Sequence, residues 1–275
     1  MDYCMTPIDQ ALKLTQKTSS LYQAHFTKDW YQGRGVYGGI QLGLMLKAAE
    51  TFIDNDDFVP RSMTCHYCEP ATEGPVDVRV QMLRAGKTIS HLQVFIERDD
   101  QIISSSLMSW GRQRDMEAVH TPDDQRTLPS KKDILKVPHV DRMPVFCQYV
   151  QFYLESMSPP YLGMGEPSIK GYCEFIESSP LTFPVLGAML DMWWPSGGAL
   201  LKKPPRNAGT IDLSIHFLRA PTPEDDCIYM DFENHWQRDG YSGEYGHAYN
   251  LKGEKIASIR QWIFFDERPP HPNKD

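Results

Sequence analysis

The chain has 275 residues, 41% of them hydrophobic, and a formal net charge of −8 from 36 acidic and 28 basic side chains. That length holds one large domain or two of roughly 130 residues, and the apolar share suffices for a substantial core. The excess of acid argues against a broad nucleic-acid or anionic-membrane surface, which needs clustered Lys and Arg, so neither partner is expected.

Six cysteines, at 4, 65, 68, 147, 173 and 227, follow no repeated spacing. No apolar signal follows Met1 and no run approaches the ~18 apolar residues of a membrane span, so a reducing, cytoplasmic setting is expected. Cys65-His-Tyr-Cys68 is formally a CxxC, but a strand there sends its two sulfurs to opposite faces, and no metal site is expected. No cofactor is expected either. Gly33-Arg-Gly-Val-Tyr-Gly38 matches a dinucleotide fingerprint only in composition, since no βαβ order surrounds it. There is no Gly-x-Ser-x-Gly nucleophile turn.

In chain order, residues 7–24 read as a short polar helix and lead-in, and Tyr22 to Trp30 as a first strand. The glycine-rich turn 33–39 opens a buried helix from Ile40 to Ile53. Strands follow at 62–68, 75–83, 88–98 and 101–112, with turns at Glu-Gly-Pro75, Arg-Ala-Gly86 and Arg-Asp-Asp100. Residues 113–142 are charged and patternless. Strand-like runs at 146–155 and 170–177 then lead to a second helix, Pro184 to Trp194, stopped by Pro195. Strands at 209–219, 226–237, 240–250 and 254–265 close the chain. Helix then meander thus occurs twice, and Phe217-Leu-Arg-Ala-Pro221 superposes on Tyr67-Cys-Glu-Pro-Ala71. The halves are placed at 1–125 and 146–275, with a linker at 126–145.

Several stretches carry a family likeness: Gly35-Val-Tyr-Gly-Gly39, Leu83-Arg-Ala-Gly-Lys-Thr88, Thr210-Ile-Asp-Leu-Ser-Ile-His-Phe-Leu-Arg219 and Lys252-Gly-Glu-Lys-Ile-Ala-Ser-Ile-Arg-Gln261. Together they resemble the double-hotdog acyl-CoA thioesterases of the bacterial thioesterase II type and their thioesterase-like relatives. The resemblance implies an α+β double hotdog: two antiparallel sheets, each wrapped around a long central helix, joined side by side. It implies a homo-oligomer, a dimer. It also implies hydrolysis of an acyl-CoA or acyl-carrier thioester, fatty or polyketide-type, by water that an Asp, a Gln and a Thr or Ser hold in the second half. The Asp falls on Asp212 and the Gln on Gln261; the third position falls on Asn234 or His235. Where the family's enzymes usually read Gln-Glu-Gly, this chain reads Gln261-Trp-Ile263. The altered context leaves two further readings: a cyclase or acyl-transfer enzyme in which an internal nucleophile replaces water, and a non-catalytic acyl-binding protein.

The residues themselves bear on these roles. Gln261 interrupts the apolar alternation Ala257, Ile259, Ile263, Phe265, and a buried amide without partners costs about 1–3 kcal/mol, so it either satisfies a neighbouring strand or positions water. Asp212 shares its strand face with Thr210, Ser214 and His216, which suits a general base or a solvated acid. Asn234 continues the apolar face of Ile228, Met230 and Phe232, whereas His235 lies on the polar face, and histidine is the side chain suited to acid or base work at neutral pH. At the first helix, Tyr37, Gly38 and Gly39 form a candidate oxyanion and substrate-binding turn, because helix N-terminal amides point outward with partial positive charge. The same glycines also suit a tight turn. Single-domain hotdog thioesterases often carry their acid on the central helix, which makes Asp191 the rival acid. Trp193, Trp194, Trp236 and Trp262 are candidates for an acyl pocket.

Overall fold

The computed structural model describes residues 5–114, 116, 120, 121, 125–158, 160–222 and 225–267. Helix α1 (Pro7–Ala11) leads to β1 (Leu21–Phe26), α2 (Gly38–Ile53), β2 (Phe58–Tyr67), β3 (Gly74–Arg84), β4 (Ile89–Arg98) and β5 (Gln101–Arg112). The second half has β6 (Val150–Met157), β7 (Ser168–Phe175), α3 (Phe183–Met189), β8 (Asn207–Phe217), β9 (Cys227–Arg238), β10 (Tyr241–Tyr249) and β11 (Lys255–Asp266). Period-2 alternation forms the strands: in β4, Ser90, Leu92, Val94 and Ile96 are buried while their neighbours are not. Helix α2 is apolar nearly all round, from Ile40 to Ala49, and is accordingly enclosed by the sheet.

All these strands belong to one antiparallel sheet of 13, ordered β1-β3-β4-β5-β2-β8-β11-β10-β9-β7-β6, with two-residue strands Thr15–Gln16 and Leu135–Lys136 at its edges. The halves meet where β2 pairs with β8. At the centre of that pairing Thr64 faces Ser214, their hydroxyl oxygens 3.0 Å apart and their positions 150 apart in sequence. The same offset relates the strand ends. The N–H groups of Cys68 and Glu69 both reach the Ile103 carbonyl, and those of Leu218 and Arg219 both reach that of Ile256. Thr64 and Ser214 therefore straddle a pseudo-twofold axis, and the repeat read from Phe217 and Tyr67 is a repeat of structure.

Three expectations need correction. The two sheets are one continuous sheet, because β2 and β8 hydrogen-bond across the junction. Among the described residues only the first half has a long helix: α2 has 16 residues, while α3 has 7 and ends at Met189 rather than running to Trp194. Thr182 caps α3 and Pro184 starts it. Beyond Leu190 the chain turns so that Asp191 meets the start of α2 and Trp193 packs on Phe152, with ring centroids 5.2 Å apart. The run expected as a strand from residue 146 begins instead as a 3-10 turn, Val145–Tyr149, before β6. In the linker, Arg126 pairs with Asp231 and lies over the Tyr229 ring, and Lys131 pairs with Glu174, so this segment lies along the second half.

Candidate active site

Two groups of polar side chains lie inside the sheet. The first is at the start of α2. Tyr37 occupies the N-cap position without a side-chain cap, so the first amides of the helix are not satisfied in the usual way. The Tyr37 N–H reaches Trp30 O and the Ile40 N–H reaches Tyr37 O, while the Gly39 N–H donates to the Asp191 carboxyl. No hydrogen bond is found for the Gly38 N–H among the described residues. The tyrosine itself is a wall of the site: its ring stacks on Phe146 at 4.2 Å and its hydroxyl donates to Ala188 O at 3.1 Å.

The glycines are dictated by closeness. A Cβ on Gly38 would lie 2.3 Å from Asp191 Oδ2 and 2.6 Å from the Tyr67 hydroxyl; one on Gly39 would lie 2.2 Å from Ala188 O. Crowding by protein pushes the Asp191 pKa up to about 7, against the opposing pull of the Tyr67 hydroxyl and the Gly39 N–H. The Tyr67 hydroxyl is buried and has no partner of regular hydrogen-bond geometry among the described residues. Asp191 and Gly38 nevertheless keep part of their surface exposed. A carboxyl titrating near neutrality, beside a helix N-terminal amide without a partner among the described residues, is equipped to take a proton from water next to a polarised carbonyl.

The second group is a row across β9, β10 and β11. Register sets Asn234 opposite Glu244, Glu244 opposite Gln261, and Gln261 opposite Leu213 of β8. Glu244 is 1% exposed, and burial pushes its pKa up to about 6 against the hydrogen bonds it accepts from Ser196 and Gln261. Its Oε2 takes both the Ser196 N–H at 3.0 Å and the Ser196 hydroxyl at 2.6 Å; its Oε1 has no partner of regular geometry. Asn234 Nδ2 donates to the buried Ser242 hydroxyl at 2.6 Å. Cys65 stands on the far side of Leu213, so the row approaches the Asp191 group with one residue between. The Asp191 charge is among the causes that raise the Cys65 pKa.

The expected site residues are thus divided. Tyr37, Gly38 and Gly39 gather around Asp191, and Gln261 and Asn234 join the row. Asp212 is set opposite Trp262 and His66, one step out of register with Gln261, and no hydrogen bond joins the two among the described residues. Ile211, unpaired in a β-bulge, directly precedes it. His235 falls in a second bulge, between Asn234 and Trp236, exposed and edge-on to Tyr245. Trp193 and Trp194 pack inside on Phe152, whereas Trp236, 45% exposed, packs with Trp262. Sequence reasoning missed Glu244, Ser196 and Tyr67. The signal for Glu244 was its place in the alternation Ser242, Glu244, Gly246, Ala248, where the other inward residues are small.

The sequence profile of the acyl-CoA thioesterase N-terminal domain matches residues 26–111, and that of the acyl-CoA thioesterase C-terminal domain matches residues 117–265. The chain belongs to the acyl-CoA thioesterase family. Solved structures of the same fold include a conserved hotdog protein of Alicyclobacillus acidocaldarius, 19% identical over 98% of this chain and 100% of that one, with a TM-score of 0.84. Another is a protein described as a thioesterase II of Thermobifida fusca, 18% identical over 95% and 98%, with a TM-score of 0.82. The tesB protein of Mycobacterium avium subspecies paratuberculosis is 17% identical over 97% and 100%, with a TM-score of 0.76. No curated protein matches the sequence. Among the described residues no helix is long and apolar enough to cross a membrane.

Proposed function

We propose that this chain hydrolyses an acyl thioester, carried on CoA or on a carrier protein, with Asp191 as the base that activates water. The observation that carries this reading is the meeting of the Asp191 carboxyl with the Gly39 N–H at an uncapped, partly exposed helix start. Water beside Asp191 gives a proton to the carboxylate and attacks the thioester carbon. Negative charge gathers on the carbonyl oxygen opposite the Gly38 N–H, where a donor of this kind is worth about 3 kcal/mol. The C–S bond then breaks, and the proton held by Asp191 passes to the leaving thiolate. Base catalysis contributes roughly 10²–10⁴-fold.

The test is thiol release from short, medium, long and aromatic acyl-CoAs by the wild type, Asp191→Asn and Asp212→Asn. The expected result is a loss of roughly 100-fold or more in Asp191→Asn with most activity kept in Asp212→Asn. The opposite ordering moves the base to Asp212. Absence of release from every thioester, carrier-bound ones included, overturns the hydrolase reading.

A further inference from the structure

The starts of the two helices are equivalent places in the two halves, and they are built differently. In the second half Thr182 caps α3 by accepting from the Val185 N–H, and Phe183, the first helical residue, packs edge-on against Phe217 with ring centroids 5.5 Å apart. In the first half Tyr37 gives no side-chain cap, the first helical residue is Gly38, and Tyr67 stands at the position of Phe217. Tyr67 and Phe217 are each the last residue of their strand, and the bonds to Ile103 and Ile256 follow them in the same way. A phenyl ring, 5% exposed, thus fills this place in the second half without any polar atom. Packing does not require the Tyr67 hydroxyl, and burying a hydroxyl without a partner costs free energy.

The acid that faces this hydroxyl is Asp191. The point where Gly38 would carry a Cβ lies 2.3 Å from Asp191 Oδ2 and 2.6 Å from the Tyr67 hydroxyl, so the two oxygens flank one point. The other titratable groups around them are Cys65, on the strand of Tyr67, and Tyr37, at the start of α2. Asp212 and Cys68 act in turn on Cys65, and Cys173 and Cys147 on Tyr37. The Tyr37 hydroxyl is committed to Ala188 O at 3.1 Å. Cys65 is fully buried, which pushes its thiol well up and keeps it neutral, a weak acceptor. The strong acceptor within reach of the Tyr67 hydrogen is therefore the Asp191 carboxylate. Catalytic hydrogen bonds of irregular geometry commonly tighten when substrate binds.

We propose that Tyr67 is the positioning residue of the base: its hydroxyl donates to Asp191 and, together with the Gly39 N–H, fixes the carboxyl against the start of α2. The proposal rests on the reading of Asp191 as the base. Donation favours the ionised carboxylate, so it opposes the burial that pushes the Asp191 pKa up to about 7. Without the Tyr67 hydroxyl the acid would stay protonated further into the alkaline range, where it cannot take a proton from water. The tyrosine thus sets the pH at which water is activated and leaves the chemistry itself to Asp191.

The experiment compares the wild type with Tyr67→Phe, a side chain that the second half already carries at Phe217. For one acyl-CoA, kcat/KM is followed from pH 5 to 9. The ionisation of Asp191 is followed separately by infrared difference titration, its band identified by its loss in Asp191→Asn. In Tyr67→Phe both midpoints should rise by about one unit. The rate should fall roughly fivefold at pH 7 and return to within about twofold of the wild type at pH 9. A role in packing alone lowers the rate equally at every pH and leaves both midpoints in place; that outcome, or no change at all, overturns the proposal. A raised infrared midpoint without cleavage of any thioester, or with full cleavage by Asp191→Asn, removes the reading of Asp191 as the base and leaves the bond between Tyr67 and Asp191 standing. Cleavage that depends on Asp191, with both midpoints unmoved by Tyr67→Phe, does the reverse.

Discussion

Gln261 stands opposite Glu244 on neighbouring strands, and at the equivalent step of the other half Met108 stands opposite Leu92. One fold has thus built the same four-strand row twice, once to fill space and once to hold hydrogen-bonding groups. Substitutions within the polar copy have a ready apolar control in the other.

The role of Asp191 has a pH signature. As the base it must be ionised, and its pKa is pushed up to about 7. The kcat/KM profile should rise with pH through a midpoint near that value. A profile already flat at pH 5 would show that Asp191 is not the base.

The same carboxyl affects stability with the opposite sense. Folding raises its pKa from 3.8, so the folded chain holds the proton more tightly than the unfolded chain does. Its contribution is fully present below about 3.8 and lost as pH rises to about 7. Glu244 behaves alike between 4.5 and about 6, a loss of about 2 kcal/mol for this 1% exposed group. Denaturant midpoints of Asp191→Asn and Glu244→Gln across pH 4 to 8 should therefore fall less steeply than those of the wild type.

Gly38→Ala tests the close approach at the helix start. The added methyl would meet Asp191 Oδ2 at 2.3 Å and the Tyr67 hydroxyl at 2.6 Å, forcing the acid away. Overpacking of this kind costs about 1–3 kcal/mol. Thiol release should drop by roughly 100-fold, as for loss of an oxyanion donor or base. A Gly38→Ala protein as active as the wild type would place the chemistry elsewhere.

Ser196→Ala removes one hydroxyl from Glu244 Oε2 while leaving the Ser196 N–H bond. A hydrogen bond to a charged group is worth about 1.5–3 kcal/mol, and the loss should appear at pH 8 and shrink near pH 5, where Glu244 is neutral. Equal losses at both pH values would mean that Ser196 acts through packing alone.

Much of the fold was legible because it is written in short-range pattern. Alternation marked each strand of the two meanders, and the match of Phe217 with Tyr67 is reproduced in the bonds to Ile256 and Ile103. The end of α3 was hidden, since Leu190 to Trp194 is, apart from Asp191, as apolar as a helix interior, and the bond between Asp191 and the distant Gly39 leaves no local mark. The site was half visible. Gln261 announced itself as a polar break in an apolar face, and Gly38 and Gly39 as a turn before a helix. Glu244 sits in a strand with ordinary polar neighbours, and only pairing across strands shows that it faces Gln261. The bulges at Ile211 and His235 explain the rest: one extra residue changes the step between strands, and no local pattern reveals it.

The pairing of Thr64 with Ser214 makes permanent, within a single polypeptide, a junction that two separate identical chains would have to form by encounter. In such a pair every mutation is inherited by both members at once. Here the halves mutate independently, so a carboxylate gained by one copy never appears in the other. Asymmetry of this kind lets one half keep the protein folded while its twin is free to acquire chemistry.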